Sequence, residues 1–327
     1  MFRKRFKALY CTLLSCFPIV LGANTLPYNA VKAPETQEEL LSIQSALIEN
    51  YKKVRAATVS ISVGEGFGSG VLISEEGLIL TAAHVTAGVD KVLTVILNDG
   101  TELEAVSLGL LSDTDAAMMK ITEEGVFPYV EINRDNDYRL ADWVFALGHS
   151  GGFDKERGPV LRLGRIVKDS DTTLQSDCKV IGGDSGGPLF DLNGKLIGIH
   201  SRVSKTVEQN MHVPIREYLS HWEVLNAGEF VGDGPFAKRP VKGSGFLGFA
   251  STDSSEGLLI TKLLTDGPAD AAGVLVQDIV VALNDRAITD RESLKSTMAE
   301  LASDEKVTLT VLRDKEKLEI EFRLGQR

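Results

Sequence analysis

The sequence predicts a mainly β chain built as two domains. Three observations carry that expectation. From Thr58 onward, short apolar runs recur between turn residues, the texture of a sandwich or barrel. Gly occurs 31 times while aromatic residues make up 6%, which favours turn-rich β structure. A stretch from Asn226 to Gly245 holds Gly228, Gly232, Gly234, Pro235, Pro240 and Gly243 and divides the chain. The 327 residues give room for two domains plus tails, and 43% hydrophobic with 25% charged residues is ordinary for globular protein.

The first 23 residues read as an export signal. Arg3, Lys4, Arg5 and Lys7 form a basic start, Ala8 to Gly22 is mostly apolar, and Leu21-Gly22-Ala23 ends in small residues. The apolar run falls short of the roughly 20 residues that span a bilayer. Cleavage is the first reading, an uncleaved anchor the second, and lipidation at Cys16 in Leu13-Leu14-Ser15-Cys16 the third. Residues 24–35 read as a linker. Thr36 to Val54 then carries Leu40, Leu41, Ile43, Leu47, Ile48, Tyr51 and Val54 at helical spacing, acidic at its start and basic at its end as the helix dipole favours. That stripe reads as core.

Strands are expected at Thr58–Val63, Gly70–Ile73, Leu78–Thr81, Lys91–Leu97, Ala117–Ile121, Trp143–Leu147 and Leu196–His200. Beyond the divide, strands are expected at Leu258–Leu263, Ile279–Leu283, Val307–Arg313 and Leu318–Leu324. Helices are expected at Ala269–Ala272 and Asp290–Leu301.

Charge and composition exclude some function classes. The net charge is −11, and loss of the first 23 residues would bring it to −15, because they carry four basic and no acidic residues. A chain this acidic is a poor partner for nucleic acid or for an anionic membrane surface. Membrane association is expected only through a retained or lipidated N-terminal segment. Cys11 and Cys16 lie in the export segment, so Cys178 would remain alone and form no internal disulfide. Its reading is a small buried apolar residue. His149, His200, His212 and His221 lack a zinc-binding spacing, and no metal or cofactor is implied.

The chemistry concentrates in Gly182-Gly183-Asp184-Ser185-Gly186-Gly187-Pro188-Leu189. A nucleophilic serine needs a base for its proton and backbone N–H groups for the oxyanion that forms. Glycines on both sides let backbone and substrate approach. Upstream lie Thr81-Ala82-Ala83-His84 and Asp113-Thr114-Asp115-Ala116-Ala117, so the order His, Asp, Ser is one of the known triad orders.

On these fragments, with Gly68-Ser69-Gly70-Val71-Leu72-Ile73 and Leu174-Gln175-Ser176-Asp177, the chain resembles HtrA/DegP-type exported serine proteases with one PDZ domain, over residues 56–327. The resemblance implies a chymotrypsin-like double β-barrel followed by a PDZ domain, a small β-sandwich with two helices. It implies ATP-independent cleavage of unfolded or signalling envelope proteins in the periplasm, and a homotrimer. The expected boundaries are a signal peptide at 1–23, a linker and N-terminal helix at 24–55, and a trypsin-like protease domain at 56–226. A linker at 227–240 and a PDZ domain at 241–327 complete the chain.

Within that resemblance His84 is the general base, Ser185 the nucleophile and Asp115 the residue that orients His84. Asp113 competes for the last role, but the family pattern puts the aspartate directly before the apolar run. The N–H groups of Gly183 and Ser185 are the expected oxyanion hole. Lys179, Val180 and His200 are expected at the specificity pocket, with Val180 favouring aliphatic side chains and an inward-pointing Lys179 favouring acidic ones. Phe246, Leu247, Gly248 and Phe249 resemble the PDZ loop that receives a C-terminal carboxylate. Two departures stand out. The family usually spells Pro-Gly-Asn-Ser where this chain has Gly182-Gly183-Asp184-Ser185, so Asp184 needs a partner of its own or stays solvated. Gln277 stands where a glycine is usual. The rival reading is a protease fold with a dead or locked loop, acting as an adaptor or chaperone that binds C-termini.

Overall fold

The computed structural model describes residues 29, 33–64, 66–203 and 209–326; the export segment 1–23 lies outside them. The chain divides into two compact units, the first through Phe236 and the second from Ala237.

The first unit opens with α1 (Gln37–Ala57). Thr36 caps it by accepting from the Glu39 N–H, and Glu39 reaches back to the Thr36 N–H, a reciprocal capping box. The helix runs three residues past the expected end. Its stripe is split: Ile43, Val54 and Ala57 are buried, while Leu40, Leu41 and Ile48 are exposed.

Two six-stranded barrels follow. The first contains β1 (Thr58–Val63), β2 (Gly66–Leu72), β3 (Leu78–Ala82), β4 (Val92–Ile96), β5 (Glu102–Leu111) and β6 (Ala116–Ile121), with the single turn α2 (Ala83–Thr86) after β3. Its strand order is β5-β4-β1-β2-β3-β6, and β6 pairs back to β5 to close it. The second contains β7 (Trp143–Gly148), β8 (Val160–Ser170), β9 (Thr173–Ser176), β10 (Pro188–Asp191), β11 (Leu196–Val203) and β12 (Asn210–Pro214), closed in the order β10-β11-β12-β9-β8-β7. Closure leaves no free sheet edge to manage.

Val59, Ile61, Leu72, Ile79, Val95 and Met118 of the first barrel and Phe145, Leu147, Phe190 and Ile199 of the second lie in one continuous core. Short α3 (Ile215–Ser220) and α4 (Trp222–Asn226) follow β12. Tyr218 of α3 is fully buried and donates to the Thr81 carbonyl at 2.7 Å, which ties the end of β3 to α3. Of the segment expected as a linker, the part through Phe236 continues this unit. Within it β13 (Phe230–Val231) pairs in parallel with β5, and the Gly234 N–H donates to Ser112 Oγ.

In the second unit, β14 (Gly245–Phe246), β15 (Phe249–Ser254), β16 (Gly257–Leu263), α5 (Pro268–Ala271), β17 (Ile279–Leu283), β18 (Arg286–Ala287), α6 (Arg291–Met298), β19 (Lys306–Arg313), β20 (Glu316–Arg323) and β21 (Gly325–Gln326) appear in turn. The sheet order is β15-β16-β17-β19-β20, with β14 pairing β21 separately. Leu258, Ile260, Val280, Leu309 and Val311 make its core. Gln277 adopts φ +81°, the left-handed region, which is the physical reason a glycine is usual there.

Candidate active site

β3 ends in buried Ala82, and the single turn α2 that follows lifts His84 out of the barrel, its side chain 36% exposed. Asp115 sits in the turn between β5 and β6 with φ +69°, a conformation that Asp tolerates better than most residues. Its carboxylate is fully buried and collects donors. His84 Nδ1 lies 3.0 and 2.9 Å from its two oxygens, the His84 N–H donates to Oδ1 at 3.0 Å, and Ser201 Oγ donates to Oδ2 at 2.5 Å. The carboxylate only accepts, so Nδ1 is a donor, and in the neutral ring Nε2 keeps its lone pair. Asp113, two residues earlier, is exposed and takes no part. Nothing in the sequence joins Ser201 to Asp115: a serine directly after His200 in a strand carries no local signal for that contact.

Ser185 lies in the loop before β10, partly exposed. Its hydroxyl donates to the Ser201 carbonyl at 3.4 Å, and no hydrogen bond joins it to His84 among the described residues. Its own carbonyl accepts from the Ser69 N–H at 2.7 Å, which fastens the loop to β2 of the other barrel. Gly183 adopts φ +92°, and its carbonyl accepts from Ser69 Oγ at 2.8 Å. A Cβ there would lie 2.5 Å from the His149 carbonyl, so only glycine fits. The N–H groups of Gly183 and Ser185 meet no acceptor among the described residues. Two unengaged donors beside a serine hydroxyl are what an oxyanion site requires.

Asp184 is fully buried and has partners. Its Oδ2 lies 3.1 Å from the Arg162 guanidinium and accepts from the Ile181 N–H, while Oδ1 accepts from Ser150 Oγ at 2.6 Å.

The specificity-pocket expectations divide. Lys179 is exposed, which leaves no buried unpaired ammonium. Val180 is buried and its N–H donates to Asn210 Oδ1 at 2.8 Å. His200 requires correction: its ring is wholly enclosed and presents nothing to a pocket. His200 Nε2 lies 3.2 Å from the Leu147 carbonyl, His200 Nδ1 2.9 Å from His212 Nδ1, and His212 Nε2 2.8 Å from Ser176 Oγ. A carbonyl only accepts, so the chain of bonds closes with both rings neutral: His200 donates to Leu147, His212 donates to His200, and Ser176 donates to His212. Burial holds His200 down to about 3, and His212 well below the usual imidazole range. Cys178 is buried as expected, with its thiol pushed up to about 12 by burial.

In the second unit Phe246, Leu247, Gly248 and Phe249 form the turn from β14 into β15, with Gly248 at φ +85°. The N–H groups of Leu247 and Gly248 meet no acceptor among the described residues. They open on a groove of about 360 Å³ between this turn and α6, with Leu294 and Met298 on the helix side.

Comparison with known proteins agrees with this division. Residues 68–199 match the trypsin-like peptidase domain, and residues 245–324 match the PDZ domain. The chain thus carries a trypsin-like peptidase domain followed by one PDZ domain. Among curated relatives, a probable periplasmic serine endoprotease DegP-like of Rickettsia conorii is 30% identical over 94% of this chain and 63% of its own length. One of the same name from Brucella suis is 33% identical over 77% of this chain and 51% of its own. The chain therefore spans less than two thirds of these relatives. A solved serine endoprotease from Yersinia pestis is similar at 24% identity and a TM-score of 0.49, with 90% of this chain and 99% of that chain covered.

Proposed function

We propose that this chain is an exported, ATP-independent serine endopeptidase of the periplasm, with His84, Asp115 and Ser185 as its triad. The observation that carries the reading is the buried Asp115 carboxylate against His84 Nδ1. It fixes the tautomer whose Nε2 can take a proton and stabilises the imidazolium once that proton arrives. In the reaction Ser185 Oγ attacks the peptide carbonyl while His84 takes its proton. The Gly183 and Ser185 N–H groups receive the oxyanion, and His84 then returns the proton to the leaving amine. Val180 favours aliphatic side chains at the primary pocket. The Phe246–Phe249 turn and the α6 groove would receive protein C-termini, with the carboxylate on the free N–H groups and an apolar last side chain against Leu294 and Met298. The names of the relatives support the periplasmic location. Cleavage of unfolded or regulatory envelope proteins, and assembly as a homotrimer, follow from the family resemblance.

One observation favours a second reading, a locked adaptor: the Ser185 hydroxyl turns to Ser201 and not to His84. Catalytic hydrogen bonds are often loose without substrate, so engagement of the loop is the point to test. Fluorophosphonate labelling, with and without unfolded protein or C-terminal peptides, should modify Ser185 and vanish in Ser185→Ala. Absence of labelling and of casein cleavage under every condition would leave the adaptor.

A further inference from the structure

Asp184 immediately precedes Ser185, and the sequence gives it no partner. The structure supplies one from a distant strand. Arg162 of β8 places a guanidinium nitrogen 3.1 Å from Asp184 Oδ2, and the same nitrogen donates to Ser150 Oγ at 2.8 Å. Ser150 in turn donates to Asp184 Oδ1 at 2.6 Å. The three side chains close a ring. Asp184 is fully buried and the Arg162 side chain is 16% exposed, so the carboxylate is sealed from bulk water and the guanidinium is largely so.

A buried carboxylate that loses its cation is strongly disfavoured. The loop is therefore held wherever Asp184 meets Arg162. Arg162 sits in a strand of a closed barrel, and Ser150 lies two residues past the end of β7, so the anchor is rigid. Gly148 shows how closely the approach is built: a Cβ there would lie 2.5 Å from Asp184 Oδ1. The Asp184 carboxylate also takes the Ile181 N–H at 2.8 Å, and its backbone N–H donates to the Ile181 carbonyl at 3.1 Å. Of the two N–H groups proposed to hold the oxyanion, that of Ser185 belongs to the peptide unit directly after Asp184 and that of Gly183 to the second unit before it.

We infer that Arg162, through its buried ion pair with Asp184, is a positioning residue that keeps the Gly183 and Ser185 N–H groups aimed at the oxyanion. The inference rests on the endopeptidase reading above. It makes the competent loop a product of the fold, formed by two charges present in the chain at all times.

The test compares wild type, Arg162→Met, Arg162→Lys and the double variant Arg162→Met/Asp184→Leu, which removes both charges and keeps the site filled. Each is read by peptide-substrate kinetics and by hydrogen exchange of the 181–187 amides. Losing one oxyanion donor typically costs roughly 10²–10³ in rate. Arg162→Met and the double variant should lose about that factor in kcat while KM stays within about threefold, and Arg162→Lys should recover part of it. Local exchange should rise in step. A folded double variant with wild-type kcat and unchanged exchange overturns the inference, as does a loss confined to KM. If wild type itself cleaves nothing, the endopeptidase reading falls. The exchange data still decide the positioning role: faster exchange at 181–187 in the double variant supports it and unchanged exchange refutes it.

Discussion

The two barrels share a fold and differ in what they bury. In the first, the buried polar side chains are hydroxyls, among them Thr58, Ser60, Ser69, Thr81 and Ser107, plus the single carboxylate of Asp115. In the second half of the unit the buried set includes His149, Asp184, Asp191, His200 and His212, beside the Arg162 guanidinium. The first barrel thus brings His84 and Asp115, the proposed base and orienting carboxylate, to the rim of an apolar interior. The second carries the loop of the proposed nucleophile Ser185 over a network of ionisable groups. Hydroxyls tolerate burial by rotating onto a nearby carbonyl, as Thr81 Oγ1 does onto the Ser69 carbonyl at 2.8 Å. Ionisable groups demand one partner geometry, and so specify the conformation more narrowly and expose it to pH.

The largest expected effects test whether both barrels contribute to one chemical unit. Ser185→Ala should lower kcat by about 10⁵–10⁶ and Asp115→Asn by about 10⁴, each with little change in melting temperature. A residue from either barrel that can be lost without such a fall would separate them. A smaller effect separates their cores. Met118, fully buried in the first barrel, should cost about 2–5 kcal/mol when cut to alanine, read by urea denaturation, with the fluorophosphonate labelling rate of the remaining folded protein unchanged.

The pH dependence should belong to the second barrel. Burial lowers His149 to about 4 and His200 to about 3, from an ordinary value near 6.5. The unfolded chain therefore binds more protons than the fold once the pH drops below about 6.5. Stability conferred by the neutral rings is complete above that value and is lost as pH falls toward 4 and then 3. The loss is on the order of 1.4 kcal/mol per pH unit for each ring while both its states differ. Burial raises the Asp191 carboxyl, which works in the opposite direction over the carboxylate range. Melting curves from pH 7 to 4 should show the decline, and replacing His200 and His212 together by apolar residues should flatten it. An unflattened curve would shift the cause to His149 or to the surface.

The smallest effect tests the bridge between barrels. Ser201 of β11 donates to Asp115 of the first barrel, and a hydrogen bond to a charged group is worth about 1.5–3 kcal/mol. Ser201→Ala should therefore lower kcat about ten- to a hundredfold, with KM nearly constant. An unchanged kcat would mean that His84 alone holds Asp115 in place.

Legibility in the sequence followed local pattern. β3 and β7 are readable because their mainly apolar runs are buried, and β1 because Val59, Ile61 and Val63 alternate with Thr58, Ser60 and Ser62 at the strand period. β5 and β8 are not. β5 mixes Glu102 and Glu104 with apolar residues around a register shift, and β8 buries only Gly164 and Ile166, on either side of Arg165, with its last four residues exposed. The apolar spacing predicts a helix over Thr36–Val54, close to the observed Gln37–Ala57, yet only part of the stripe it reads as core is covered. His200 was misplaced because nearness in sequence to a pocket strand says nothing about which residue the opposite strand will offer it. That residue is His212, its register partner across β11 and β12.

By itself, the sequence determined the most apolar strands, a division into two domains, and the residue types at the rim: a histidine after an apolar strand, an aspartate before one, and a serine among glycines. These are local facts, fixed by periodicity and by which side chains and backbone angles a short segment tolerates. The tertiary structure decided which buried charge meets which. Arg162 reaches Asp184 across 22 positions within the second barrel, and Ser201 reaches Asp115 across 86 where the two barrels pack together. Such pairings depend on strand register and on the cost of leaving a buried charge alone, and no short stretch of the chain contains either.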